Sequence, residues 1–324
     1  MNVKTFEEAE KILKKRQEKI YKEVLSQDTS VIFEEDPLEN DMVLNMGPQH
    51  PATHGVLRVV MRLDGETIIK CIPELGYLHR GYEKLAENMN FHEFMPHTDR
   101  LDYIAPMSNN VAIALAVENS LGIEAPRRAQ WIRTLVSELA RISSHLMAIG
   151  STCMDIGAMT IFLWTFTERE KLYDIFELIC GARFTTSYTR IGGVANDIND
   201  DTIAKIKDWL EQFPKELKYF EKLIHRNRIF VDRIAGVGVL DGEQAVDLGL
   251  TGPNLRGSGV ARDLRRDDPY LLYDELDFDV ITYPEGDTWA RYMVRIDEMR
   301  ESVKMVKQLL DNEPKGDILL NDPE

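Results

Sequence analysis

Cysteine is scarce and scattered: the chain has 3 in 324 residues, Cys71, Cys153 and Cys180, and no two form a CxxC pair. With the cysteines this far apart, neither a disulfide framework nor a cysteine-held zinc or iron-sulfur site is signalled. The thiols are expected to be free and buried. Long apolar runs are also missing, and no stretch approaches the ~20 residues that cross a bilayer. Any membrane link must therefore run through a partner. The N-terminus, MNVKTFEEAEKILKKRQEK, has no apolar core followed by a small-residue cleavage site, so it does not read as a secretion signal and a cytoplasmic chain is expected. Basic residues are outnumbered, 39 Lys and Arg against 55 Asp and Glu, for a net charge of -16. That excess opposes phosphate neutralisation, so nucleic acid is not an expected partner.

Nucleotide loops are missing as well. GVGVLDG (Gly236 to Gly242) and RGSGVARD (Arg256 to Asp263) superficially resemble dinucleotide fingerprints, but Asp241 and Arg262 stand where the third glycine belongs. No GxxxxGK[ST] occurs. The chain is therefore not expected to bind a nicotinamide cofactor or to hold a redox centre of its own.

What is present is the composition of a folded protein, with 44% hydrophobic and 29% charged residues. Thr5 to Leu25 places Phe6, Ala9, Leu13, Ile20 and Val24 at helical spacing, which predicts an exposed amphipathic helix that either docks on a neighbour or stays solvated. An acidic linker, Glu34 to Asn40, closes this first region, residues 1-40. Met42 to Met46 then reads as a strand running into the loop GPQHPATHG. From Val56, Leu57, Val59, Met61 and Leu63 alternate with Arg58 and Arg62, and Asp64-Gly65 predicts a hairpin turn into Thr67 to Ile72.

The remainder is expected to be helical. Helices are predicted over Asn109 to Leu121, from Pro126 through Ile149, over Ala158 to Cys180, over Thr202 to Asn227 and over Thr288 to Leu310, with an irregular Gly- and Arg-rich stretch from Ala235 to Asp268. The fold class is α+β: a predominantly helical bundle with a small N-terminal antiparallel β element.

Histidine is the informative residue. Five of the seven, His50, His54, His79, His92 and His97, crowd between positions 50 and 97. The HxxxH spacing of His50 and His54 contains Pro51, so a loop is predicted rather than a metal-binding helix face. Just beyond lies PHTDRLDY (Pro96 to Tyr103), which fits either a helix cap with ion pairs or one wall of a polar site. The residues by themselves lead to a polar His/Asp/Tyr cavity beside an apolar helical wall.

Longer motifs then carry a resemblance. NMGPQHPATHGVLR (Asn45 to Arg58), GYLHRGYEKL (Gly76 to Leu85), DRLDY (Asp99 to Tyr103) and PRRAQWIRTLVSELARISSHLMAIG (Pro126 to Gly150) resemble the D-type subunit of bacterial NADH-quinone oxidoreductase, respiratory complex I. DIGAMT, FTEREKLYDIFE, GARF, RIGGV, LTGPNLRGSGV and VRIDEMRESVKMVKQ continue the match in order, so it covers Asp41 to Leu310. That family is similar to the large subunit of nickel-iron hydrogenases, whose metal is held by two CxxC pairs. Both pairs are missing here, so the resemblance implies a former metal cavity that takes a quinone head group, with no metal.

The resemblance further implies that His54 and Tyr103 hydrogen-bond the two quinone carbonyls and that Asp155 orients and charges the imidazole. His50 and Asp99 are implied as supporting or proton-path residues, and Arg80 as a neighbour of the 4Fe-4S cluster on the B-type subunit. The implied partners are complex I subunits B, C, H and I, with the H-type subunit supplying the membrane and the quinone entry path on the cytoplasmic side of the bacterial inner membrane. Electrons from NADH would reach quinone, such as ubiquinone, through the partner's cluster, with proton translocation carried out by the complex. A hydrogenase-type subunit and a non-catalytic scaffold of the same complex are the competing readings. Three departures stand out: Glu74 where the family has histidine, Ile161 where it has proline, and an end at NDPE where its pattern continues, so the domain at 41-324 is expected to be C-terminally truncated.

Overall fold

The computed structural model describes residues 42–320, so the predicted amphipathic helix and linker at 1–40 lie outside the described residues. The chain divides into two compact units, Met1–Gly81 and Tyr82–Glu324.

In the first unit, strands β1 (Met42–Met46), β2 (Arg58–Asp64) and β3 (Thr67–Glu74) form an antiparallel sheet in the order β1-β2-β3. β1 runs from Met42 opposite Leu63 to Met46 opposite Val59, and Asp64 faces Thr67 across the hairpin. The turn is therefore Gly65-Glu66, one residue later than predicted, because Gly65 takes the left-handed conformation (φ 58°) at its first position. Alternation along β2 buries Met61 and Leu63, as its sequence predicts. Cys71 corrects the expectation of buried thiols: it is exposed, on an edge strand, whereas Cys153 is buried and Cys180 half-buried.

In the second unit, α1 (Tyr82–Ala86), α2 (Phe91–Thr98), α3 (Pro106–Leu121), α4 (Arg127–Asp155), α5 (Met159–Cys180), α6 (Asp200–Ile224), α7 (Arg228–Ile234) and α11 (Thr288–Asp311) carry most of the described residues of that unit. Helix starts follow their caps. Asn90 and Glu93 form a reciprocal capping box, while Asn199 and Asp287 accept from the amides of Thr202 and Ala290 at 2.8 and 2.7 Å. The 29 residues of α4 run through the core: Trp131, Leu135, Leu139, Ile142, Leu146 and Ile149 are all buried among the flanking helices. Trp131 Nε1 donates to the Leu309 carbonyl at 2.7 Å, locking α4 to the end of α11.

The stretch expected to be irregular contains short helices α8 (Gly242–Asp247), α9 (Gly252–Arg256) and α10 (Leu264–Asp267). Strands β4 (Thr189–Arg190) and β5 (Gly193–Val194) form a small hairpin on RIGGV. Residues 318–320 lie along it: Val194 donates to Ile318 O and Leu320 to Gly192 O, each at 2.9 Å. Gly193 is required there, since a Cβ would fall 2.1 Å from Ile318 O.

Candidate functional site

The histidine loop is a backbone device. Gly47 (φ 88°) passes so close to β2 that a Cβ would sit 2.1 Å from Leu57 O, which fixes glycine at the loop's entry. Pro51–Thr53 then forms a single 3-10 turn, with His50 as its cap. His50 Nδ1 accepts from the Ala52 amide at 3.1 Å, and its carbonyl accepts the Thr53 hydroxyl at 2.8 Å. The turn ends on His54, which donates its amide to Pro51 O at 3.3 Å and is held at φ 50°. A non-glycine residue in the left-handed region is sparsely populated and clusters at functional sites. The imidazole of His54 is carried outward, exposed, on a strained residue.

Arg58 braces this loop from below. Its guanidinium donates to Asn45 Oδ1 from Nε and Nη2 at 3.2 and 2.9 Å, and Nη1 lies 2.8 Å from a Glu74 carboxylate oxygen and 3.2 Å from the Tyr77 hydroxyl. Glu74, the first departure from the family pattern, is thus a partner of Arg58. Ile161, the second, is buried in the first turn of α5. Arg80 lies exposed beyond β3.

In the second unit, the DRLDY segment begins at the end of α2. Asp99 is the cap residue and is buried, while Arg100 donates to the Pro96 carbonyl, so the helix-cap alternative describes part of the motif. Asp99 does more: its Oδ2 accepts the Ser187 amide at 2.9 Å, where Ser187 has a left-handed backbone (φ 40°). Alongside, the Tyr188 amide donates to Asn110 Oδ1 at 3.2 Å, and Asn110 Nδ2 donates to Thr98 Oγ1 at 2.7 Å. These bonds pin the loop that follows GARF. Phe184, the last residue of GARF, packs against Tyr103 with ring centroids 6.1 Å apart, and against Tyr173 at 6.3 Å.

Tyr103 is 42% exposed, and its hydroxyl has no hydrogen-bond partner among the described residues. Burial pushes the Asp99 carboxyl above its usual range, against the pull of Asn110, the Ser187 amide and the charges of Arg100 and Arg190. Asp155 is the last residue of α4 and is exposed.

The structure therefore groups the predicted residues as follows: His50 and His54 in one turn, Asp99 and Tyr103 behind one pinned loop, and Asp155 at a helix end. Among the described residues, no group of three or more His, Cys, Asp and Glu is placed to hold a metal ion.

Sequence reasoning missed Phe184, Ser187 and Asn110, which shape the surroundings of Tyr103, and it missed a buried ionic seam. Glu138 of α4, wholly buried, accepts from Tyr273 and Ser302 at 2.6 Å each and pairs with Arg141 at 3.1 Å and Arg265 at 3.3 Å. Burial opposes its ionisation, but the two guanidiniums and two hydroxyls hold its carboxyl down at about 2. Glu298 of α11 is likewise held at about 2, where the His145 hydrogen bond (2.8 Å) and Arg256 (2.6 Å) overcome burial. Burial pushes the His145 imidazole below its ordinary value, so at neutral pH it is an uncharged donor to Glu298. A signal existed: Glu138 sits between Leu135 and Leu139 on the apolar face of α4, a position that requires buried partners.

A family profile described as respiratory-chain NADH dehydrogenase, 49 Kd subunit, matches residues 155–324. The chain is 57% identical over 306 residues to the first of the NADH-quinone oxidoreductase D-type subunits of Chloroherpeton thalassium, covering 94% of this chain and 70% of that relative. It is 56% identical to the D-type subunit of Salinibacter ruber, covering 89% and 64%, and 55% identical to that of Methylacidiphilum infernorum, covering 87% and 68%.

Proposed function

The chain belongs to the D-type subunit family of NADH-quinone oxidoreductase, the 49 kDa subunit of the respiratory-chain NADH dehydrogenase, and from that membership we propose that it lines the site where quinone is reduced. His54 and Tyr103 are the donors to the two quinone oxygens. The observation that carries this reading is their presentation: two donor side chains exposed on backbones held by glycine, cap and loop contacts.

Reduction of quinone to quinol takes two electrons and two protons, and it builds negative charge on two oxygens. Positioned donors stabilise that charge and deliver protons. The His54 imidazole hands a proton to one quinone oxygen, whereas the Tyr103 phenol acts chiefly as a hydrogen-bond donor to the other. Asp155 orients and charges His54 in this proposal. Asp99 serves as a proton carrier behind Tyr103, a role suited to a carboxyl whose burial favours the protonated form. His50 shapes the loop through its cap. Arg80 contributes a fixed positive charge close to the 4Fe-4S cluster of the B-type subunit, which supplies the electrons.

Complex I subunits B, C, H and I are the proposed neighbours, with the H-type subunit carrying the membrane contact. Proton translocation belongs to the complex, and the chain sits on the cytoplasmic side of the inner membrane. No helix among the described residues is long and apolar enough to cross a membrane, which fits attachment through a partner. A hydrogen-activating centre finds no support in the cysteines, since Cys71, Cys153 and Cys180 form no CxxC pair.

The reading is tested by photolabelling the assembled enzyme with an azido-quinone. Labelling of peptides containing His54 and Tyr103, suppressed by excess quinone, is the expected result. Labelling confined to other peptides or to neighbouring proteins of the complex would remove this chain from the site.

A further inference from the structure

A second polar site, unrelated to the histidine loop, opens beside the ionic seam. A cavity of about 330 Å³ is lined by Arg141, Arg256, Arg262 and Arg265, with Asp263 as the one carboxylate on its wall. Its volume falls in the range of small-molecule pockets, ~300–1,000 Å³.

The pairing of these arginines divides them sharply. Arg256 is saturated by Glu298, from Nε at 2.7 Å and Nη2 at 2.6 Å, and by the Arg262 carbonyl at 2.9 Å. Arg265 is held by Asp263 at 3.0 and 2.7 Å and by Glu138 at 3.3 Å. Both are buried, so the inner wall is rigid. Arg141 uses only Nε on Glu138, at 3.1 Å; both its terminal nitrogens lack a partner among the described residues. The exposed Arg262 guanidinium likewise has no hydrogen bond or ion pair among the described residues.

Charge counts the same way. On the lining itself four arginines meet one carboxylate, Asp263; behind it Glu138 and Glu298 are committed to Arg265, Arg141 Nε and Arg256, and Asp267 accepts the Asp263 amide at 3.0 Å. Arg295 adds another cation behind Arg256, bonded among the described residues only to the neutral Asn254 side chain and the Arg291 carbonyl. A cavity with spare, forked donors and a positive surplus is matched by an oxyanion that accepts several hydrogen bonds at once.

We propose that this cavity binds a small phosphate-bearing anion, with Arg141 and Arg262 as its direct ligands and Arg256 and Arg265 as the positively charged wall. The site is separate from the quinone reading and stands or falls without it. Its volume favours two linked phosphate groups over one.

The test is calorimetric titration of the purified chain with inorganic phosphate, pyrophosphate and citrate at constant ionic strength. Pyrophosphate is expected to bind in a saturable manner and more tightly than phosphate. Arg262→Gln is expected to weaken it about tenfold or more, the loss of a charge-assisted contact. Arg262→Lys should recover part of that loss by restoring the charge without the fork. Arg262 makes no side-chain hydrogen bond or ion pair among the described residues, so both variants are expected to melt with wild type. Absence of saturable binding by wild type, or equal binding by Arg262→Gln, would overturn the proposal. Tighter binding of citrate than of pyrophosphate would overturn the phosphate assignment.

Discussion

The donor loops and the ionic seam use polar side chains in opposite ways. At the histidine loop and DRLDY, the proposed donors His54 and Tyr103 are exposed, and their surroundings are held by the backbone: by Gly47, the His50 cap and the Asp99 to Ser187 bond. In the seam between α4 and α11, charged side chains are buried and hold one another. Such an arrangement separates roles. Side chains in the seam are tied to stability, while the proposed donors at the loop tips are expected to act with little effect on folding.

The strongest way to break this contrast is Glu138→Ala. It strands Arg141, Tyr273 and Ser302 and leaves Arg265 to Asp263 alone, and removing one partner of a buried ion pair costs about 3–5 kcal/mol. Urea denaturation should show that loss; a shift comparable to that of a surface substitution would mean the seam is not what holds α4 to α11.

Acid unfolding sharpens the same point. Glu138 and Glu298 ionise at about 2 in the folded chain, against an ordinary value of 4.5. A depressed folded value means stability is present above about 4.5 and is lost as pH falls from there toward about 2. His145, also lowered, adds a loss that begins as pH falls through its ordinary 6.5. Asp99 acts with the opposite sign: its raised value favours the protonated fold, so this contribution is lost as pH rises through its folded value. The Glu138→Gln variant should therefore start less stable at neutral pH and show a shallower acid limb than wild type.

Smaller effects belong to the donor side. Asp99→Ala leaves the Ser187 amide without its acceptor and should cost about 1–3 kcal/mol by the same denaturation assay. His54→Gly relieves a left-handed backbone and should leave stability within about 1 kcal/mol of wild type. A larger loss there would show that His54 is a structural residue.

Much of the fold was legible because periodicity survives in the sequence. The alternation of Val59, Met61 and Leu63 located β2, and the apolar stripe from Trp131 to Ile149 located α4. The turn was misplaced by one residue because Asp64-Gly65 and Gly65-Glu66 are both compatible with the dipeptide pattern until pairing of Asp64 with Thr67 selects the second. Burial of Cys71 failed for a different reason: thiol burial is a tendency of cysteine, while edge position is a property of the sheet.

The proposed donors, His54 and Tyr103, could be named from the sequence because they stand in recognisable motifs. Their supports could not. Asp99 reaches Ser187 across 88 positions, Glu138 reaches Tyr273 across 135, and such long-range pairs leave no local spacing to read.

The central claim is that His54 and Tyr103 act on the quinone without carrying the fold. It is tested most directly in the assembled enzyme bearing His54→Ala together with Tyr103→Phe, comparing quinone reduction with NADH oxidation by an artificial acceptor. Quinone reduction is predicted to fall by about 100-fold or more, the scale of losing a proton donor and a charge-stabilising hydrogen bond, while electron delivery to the artificial acceptor persists. Unchanged quinone reduction in a correctly assembled enzyme would contradict the account.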